Sequence, residues 1–121
     1  MIHHAALETR PEDAAACAAF FGLLGFAEVE PPASLAGRAL WLQAGPTQVH
    51  LLYADDPVIP PQGHLAVVVE DYEAAVEALR GRGHVVEPRP EHWGSPRAFA
   101  YDPAGHRVEL MAFPPGQSKD A

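Results

Sequence analysis

The sequence is poor in lysine, in cysteine and in unbroken apolar runs. One lysine, Lys119, stands against seven scattered arginines and 16 Asp+Glu in 121 residues. The formal net charge of −8, with no basic cluster, excludes a binder of nucleic-acid phosphates, which needs a basic face. The one cysteine, Cys17, excludes an intramolecular disulfide and fits a reducing compartment. No segment reaches the ~20 continuous apolar residues of a membrane span. The opening MIHHAALETR lacks the basic and then apolar regions of a secretory signal. The expected setting is the cytoplasm, with no membrane and no nucleic acid as partner.

What is abundant is histidine and proline. Seven His nearly equal the 8 Lys+Arg, and there are 13 Pro. Imidazole is the side chain best suited to metal ligation and to proton transfer near neutral pH. With 48% hydrophobic and 20% charged residues the composition is that of an ordinary globular domain.

The chain shows one pattern twice. Residues 2–8 form a short apolar run that predicts a strand. Pro11, Glu12 and Asp13 mark a helix start, and a helix is expected over 14–24 with Gly25 as its stop. Strands are predicted at 26–30, 38–44 and 48–53, the last two around Gly45-Pro46-Thr47. A Pro-rich connector follows at 54–62. The pattern then restarts: a strand over 64–69, a helix over 72–82 capped by Asp71 and ended by Gly83, and a short strand over 85–88. Two more strands, 97–101 and 107–113, flank Asp102-Pro103-Ala104-Gly105. A polar tail is expected over 114–121.

Matching segments support an internal duplication. His4-Ala5-Ala6 and His64-Leu65-Ala66 are 60 apart, and Gly25-Phe26 and Gly83-His84 are 58 apart. Val49-His50-Leu51 with Val108-Glu109-Leu110, and Arg38-Ala39 with Arg97-Ala98, are both 59 apart. Halves of about 55 residues gain by packing on one another or on a second chain.

The repeat singles out four metal-ligand residue types. His4 and His64 are equivalent in the first strand of each half, and His50 and Glu109 in the last. Two His and one carboxylate with open positions is a recognised arrangement for a divalent metal. Such a site leaves room for water or substrate.

The runs H-H-A-A-L, F-F-G-L-L-G-F, G-H-L-A-V-V-V-E-D and D-P-A-G-H-R-V-E-L resemble the vicinal oxygen chelate superfamily. This is the glyoxalase I, bleomycin-resistance and extradiol dioxygenase group, and the resemblance spans residues 1–113. It implies an α+β fold of two βαβββ modules, 1–53 and 63–113, each a curved half-barrel around a cleft. It puts the family's metal ligands on His4, His64 and Glu109. His50 stands where glyoxalase I has a Glu, and is either a fourth ligand or a nearby acid/base. Small members of the family are commonly dimers with sites shared between chains, so a homodimer with one divalent ion per site (Zn, Ni, Mn or Fe) is implied.

Strand alternation adds lining residues. Gln48 shares a face with His50, and Arg107 with Glu109. Arg97 and Phe99 share a face, aligned with Arg38 and Leu40. Arg97 is a candidate to hold an anionic group or a solvated strand-end charge. Trp93 and His92 fall in a predicted loop, 92–96, near the cleft mouth. Trp41 and Tyr53 are candidates to line the cavity or to pack. His3 is expected to point to the face opposite His4, and His84 and His106 to be surface residues. Cys17 reads as helix packing. Fosfomycin-modifying relatives carry Ser and Tyr in the seventh strand where Arg97 and Phe99 stand, which disfavours that activity.

Two functions follow. The first is a metal-dependent enzyme acting on a small oxygen-chelating substrate, by isomerase, lyase or dioxygenase chemistry. The second is a metal-free binding protein of the bleomycin-resistance kind, for which an acidic chain suits a cationic drug.

Overall fold

The computed structural model describes residues 1–117; the end of the expected tail, with Lys119, lies outside the described residues. The first half runs β1 (His4–Thr9), α1 (Ala14–Gly22), β2 (Ala27–Val29), β3 (Ala39–Ala44) and β4 (Thr47–Tyr53). The second runs β5 (Leu65–Val68), α2 (Tyr72–Gly81), β6 (Val86–His92), β7 (Ser95–Tyr101) and β8 (Arg107–Met111). Each half is a four-stranded sheet, ordered β1-β4-β3-β2 and β5-β8-β7-β6. In both, the first strand pairs parallel to the last, and the other pairs are antiparallel. The helix supplies the crossover that a parallel pair requires.

The sequence explains most of these boundaries. Asp71 caps α2 by accepting the Ala74 N–H at 3.1 Å, with Glu73 in the first turn and Arg80 in the last. At the end of α1, Gly25 takes a φ of +99°, which lets the Phe26 N–H reach the Phe21 carbonyl at 3.1 Å.

Period-2 alternation divides each sheet into an inner and an outer face. Leu42, Val49 and Leu51 point inward from the first sheet, and Ala98, Ala100, Val108 and Leu110 from the second. They meet Phe20 and Phe21 of α1 and Leu79 of α2 in one continuous core. The other faces carry His4 and His50, and Arg97, Phe99, Arg107 and Glu109.

Several expectations need correction. The strand predicted over 85–88 continues to His92 through Pro88 and Pro90. The prolines are tolerated because β6 is the outermost strand, where N–H groups facing solvent are not needed. The predicted 92–96 loop is a two-residue turn, because His92 pairs with Ser95. Trp93 and Gly94 turn with φ of +43° and +73°, as a tight hairpin requires.

His106, expected at the surface, is 4% exposed, and its Nε2 donates to the Glu8 carbonyl at 2.7 Å. His84, also expected at the surface, is half-buried, with its ring 5.1 Å from Phe20. Both histidines close the seam between the halves. Asp102, 3% exposed, anchors the turn before β8, its Oδ1 accepting the Ala104 and His106 N–H groups. Residues 114–117 form a turn with the Gln117 N–H on the Pro114 carbonyl.

Candidate functional site

The four metal-ligand residue types fall into two pairs, one on each sheet. The pairing registers explain why. Ala6 stands opposite His50 on β4, and Ala66 stands opposite Glu109 on β8, so the β1–β4 and β5–β8 pairs share one register. His4 begins β1 and His64 immediately precedes β5.

On the second sheet, His64 Nε2 lies 3.0 Å from Glu109 Oε1. His64 Nδ1 lies 2.8 Å from the Gln62 carbonyl, an acceptor only, so Nδ1 carries the proton. The Nε2 lone pair of a neutral ring then faces a carboxylate oxygen. Two acceptors at that distance need a cation, either a proton on Nε2 or a metal ion. An imidazole whose far nitrogen is held by a carbonyl is also how metal-ligating histidines are usually oriented. Arg97 Nη1 donates to Glu109 Oε2 at 3.3 Å and fixes the carboxylate from its other side.

On the first sheet, the His50 ring lies between two others. Trp41 stacks on one face at 3.8 Å with 1° between planes, and His4 on the other at 4.0 Å and 18°. Gln48 donates its amide to Gln43 Oε1 at 2.8 Å, so its own oxygen faces His50 Nε2, also at 2.8 Å. His50 therefore donates from Nε2, and Nδ1 keeps the lone pair. Burial, and then the nearby His4 and His3, lower its pKa and favour the neutral ring. His3, expected on the opposite face, turns back so that its Nδ1 meets His4 Nδ1 at 2.8 Å. The ring precedes β1 and escapes strict alternation.

Among the described residues, no three His, Cys, Asp or Glu side chains gather in a group that could hold a metal ion. The stack explains part of this. Imidazole lone pairs lie in the ring plane, so stacked rings meet by their faces rather than by their donor atoms. The four expected ligands are brought together two by two.

The remaining predicted residues divide. Phe99 pairs with Glu109, and Trp41 pairs with His50, so Trp41 and not Leu40 is the counterpart of Phe99. The third strands are thus 58 apart, not 59, and Arg97 corresponds to Ala39. Arg38 falls outside the site. It precedes β3, its carbonyl accepts the Tyr53 N–H, and its side chain is exposed. Trp93 is turned aside, its Nε1 donating to the Phe113 carbonyl at 3.0 Å. Gln48, Arg97, Phe99 and Arg107 stand beside the pairs. A cleft of about 650 Å³ lies elsewhere, by the start of α2, between Glu70, Asp71, Glu91 and Phe113. It contains none of the predicted site residues.

Sequence reasoning missed Arg89. Its guanidinium lies 5.4 Å from the Phe99 ring centre. The signal was present in the Arg97-to-Arg89 pairing, but only once β6 is allowed to run through its prolines.

The model of the Glyoxalase/Bleomycin resistance protein/Dioxygenase superfamily matches residues 2–110. The chain belongs to this superfamily. The match covers both sheets, and the two βαβββ modules are the fold that the sequence led us to expect. A glyoxalase-family protein of Bacillus anthracis superposes with a TM-score of 0.83 at 23% identity, over 92% of this chain and 93% of that one. FosX, a fosfomycin resistance protein of Listeria monocytogenes, gives 0.75 at 17%, over 95% and 94%. A lactoylglutathione lyase of Agrobacterium tumefaciens gives 0.69 at 23%, over 92% of each chain. A comparison with curated proteins finds no match. The scaffold shared by these superfamily structures serves more than one chemistry, and function is argued from the site. Among the described residues no helix is long and apolar enough to cross a membrane.

Proposed function

We propose that this chain is a metal-dependent enzyme of the superfamily, acting on a small substrate that offers oxygen to the ion. The carrying observation is the His64–Glu109 pair, whose two acceptor atoms face one another at 3.0 Å with His64 Nδ1 committed to Gln62. His64 and Glu109 hold the ion, and His4 and His50 complete the set when the first module of one copy meets the second module of another. The imidazole and carboxylate donors suit Zn, Ni, Mn or Fe. A divalent ion there supplies Lewis acidity toward a substrate oxygen.

The other roles belong to the chain. Arg97 holds Glu109 in place through Oε2. Gln48 fixes the His50 ring through Nε2, leaving Nδ1 to bind the ion or to accept a substrate proton. Reactions that build negative charge on a substrate oxygen fit this arrangement, whether isomerase, lyase or dioxygenase. The setting we propose is the cytoplasm, as a homodimer.

The test is metal analysis of untagged protein purified without chelator. Wild type should hold about one ion per chain, and His64→Ala and Glu109→Ala should lose it. In His50→Ala, lost metal marks a ligand, and retained metal with lost activity marks an acid/base. Mixing His4→Ala and Glu109→Ala chains tests the shared site. A mixed dimer has one site made of two intact halves, so refolding the variants together should restore about a quarter of the wild-type metal. No recovery would place each site within one chain.

A second reading is metal-free capture of a small molecule. It is favoured by the net charge of −8, which suits a cationic ligand. Wild type that stays metal-free after reconstitution would sink the first reading and promote this one.

A further inference from the structure

Three of the seven arginines converge on one ring. Arg89 on β6, Arg97 on β7 and Arg107 on β8 place their guanidinium carbons 5.4, 5.7 and 4.6 Å from the Phe99 ring centre. This happens in a chain of net charge −8, beside the His64–Glu109 pair. Like charges gathered on one face repel, and such clusters usually answer an anion.

The protein supplies only part of that answer. Arg97 is engaged, with Nη1 on Glu109 and Nε on the Pro90 carbonyl at 2.7 Å. Glu87, on the same face of β6, already accepts the Tyr101 hydroxyl at 3.0 Å. Arg107 is different. Its Nε is buried and has no hydrogen-bond partner in the structure. Arg89 has no ion pair among the described residues. A buried guanidinium N–H without an acceptor is costly unless a ligand provides one.

We propose that Arg107 and Arg89 hold an oxyanion group of the substrate, a carboxylate or a phosphonate, against the Phe99 edge of the site. This rests on the enzyme reading above, because it places that group beside the proposed metal ligands. The substrate class is then a small acid with two parts: oxygens presented toward His64 and Glu109, and a separate anionic group bound by arginine. The Phe99 ring supports the guanidiniums by cation–π contact and keeps their hydrocarbon side dry.

The test uses full-length protein stripped of metal with chelator, so that its outcome does not depend on the metal. Malonate, methylphosphonate and the uncharged malonamide are titrated by calorimetry, with the arginine Nε–H resonances followed by NMR. The two anions should bind and shift the Arg107 signal, and malonamide should not. The tighter of the two anions identifies the group. Arg107→Met should weaken binding about tenfold or more, and Arg89→Met should weaken it less. Arg107→Lys keeps the charge without the fork and should recover part of the loss. Arg82→Met, remote on the end of α2, should change nothing. Circular dichroism checks that each variant is folded. Equal binding by wild type and a folded Arg107→Met, or equal binding of malonamide, would overturn the proposal. Anion binding by a protein that takes up no metal would leave this inference standing and remove the enzyme reading.

Discussion

The Trp41 indole and the His50 imidazole are stacked face to face, their ring centres 3.8 Å apart and their planes 1° from parallel. The indole comes from β3 and the imidazole from β4, at directly paired positions. With His4 on its other face, His50 is held at both faces, and Gln48 holds one edge. Trp41→Leu would free one face and let the ring turn. On the proposed metal-enzyme reading, the expected result is a fall in metal affinity of about tenfold, read by competition with a chromogenic chelator, with the far-UV spectrum unchanged. Unaltered affinity would show that the stack does not orient the ring.

Cys17 is fully buried on α1, and burial, with Asp102 nearby, pushes its thiol up to about 12. The thiolate is the reactive form, and it is scarce in the folded protein. Native protein should therefore resist Ellman's reagent near neutral pH, and guanidinium should release one reactive thiol per chain. Rapid labelling without denaturant would contradict this burial.

Asp102 carries a pH prediction. Burial raises its pKa above the usual carboxylate value, while its backbone hydrogen bonds and His106 oppose the shift. Because the folded value exceeds the unfolded one, its contribution to stability is full below the unfolded value. It is lost as pH rises through the folded value. Asp102→Asn keeps an oxygen acceptor for the Ala104 and His106 N–H groups but does not titrate. Relative to wild type it should gain stability between about pH 4 and about pH 7, read from urea unfolding. Asp102→Ala loses both bonds and should cost about 2 kcal/mol or more at either pH.

The continuous core predicts that the two modules melt as one. Phe20 is fully buried, edge-on to Phe21 at 5.2 Å and to His84 at 5.1 Å. Phe20→Ala should cost about 3–5 kcal/mol. Its effect should be equal whether unfolding is followed by Trp41 in a Trp93→Phe background or by Trp93 in a Trp41→Phe background. Separate transitions would mean that the seam at His84 and His106 does not couple the halves.

The order of elements was legible in the sequence because alternation, Asp71, Gly25 and the Gly105 turn are local signals. So was the equivalence of His50 and Glu109, because strand pairing preserves it. The misplacement of Arg38 has a simple origin. The spacing between halves falls from 60 at the first strand to 58 at the third, since the loops differ in length. The Arg-Ala match at 59 therefore puts the third strand on its wrong face, and in a strand one residue reverses every side chain. The burial of His106 depends on the Glu8 carbonyl, which lies 98 residues away and leaves no mark nearby. The end of β6 was misjudged because the penalty for proline depends on whether a strand is central or outermost. That is a property of the sheet, not of the segment.

Pro88 and Pro90 lie two residues apart on the outermost strand of the second sheet, so the missing N–H groups fall along one rim. That rim cannot template a further strand from another molecule, and the sheet cannot lengthen on that side. Any contact between copies is thereby left to the faces and to the rims at β1, β2 and β5. An assembly formed there is free to close on itself, whereas strand-by-strand addition along β6 would have been open-ended.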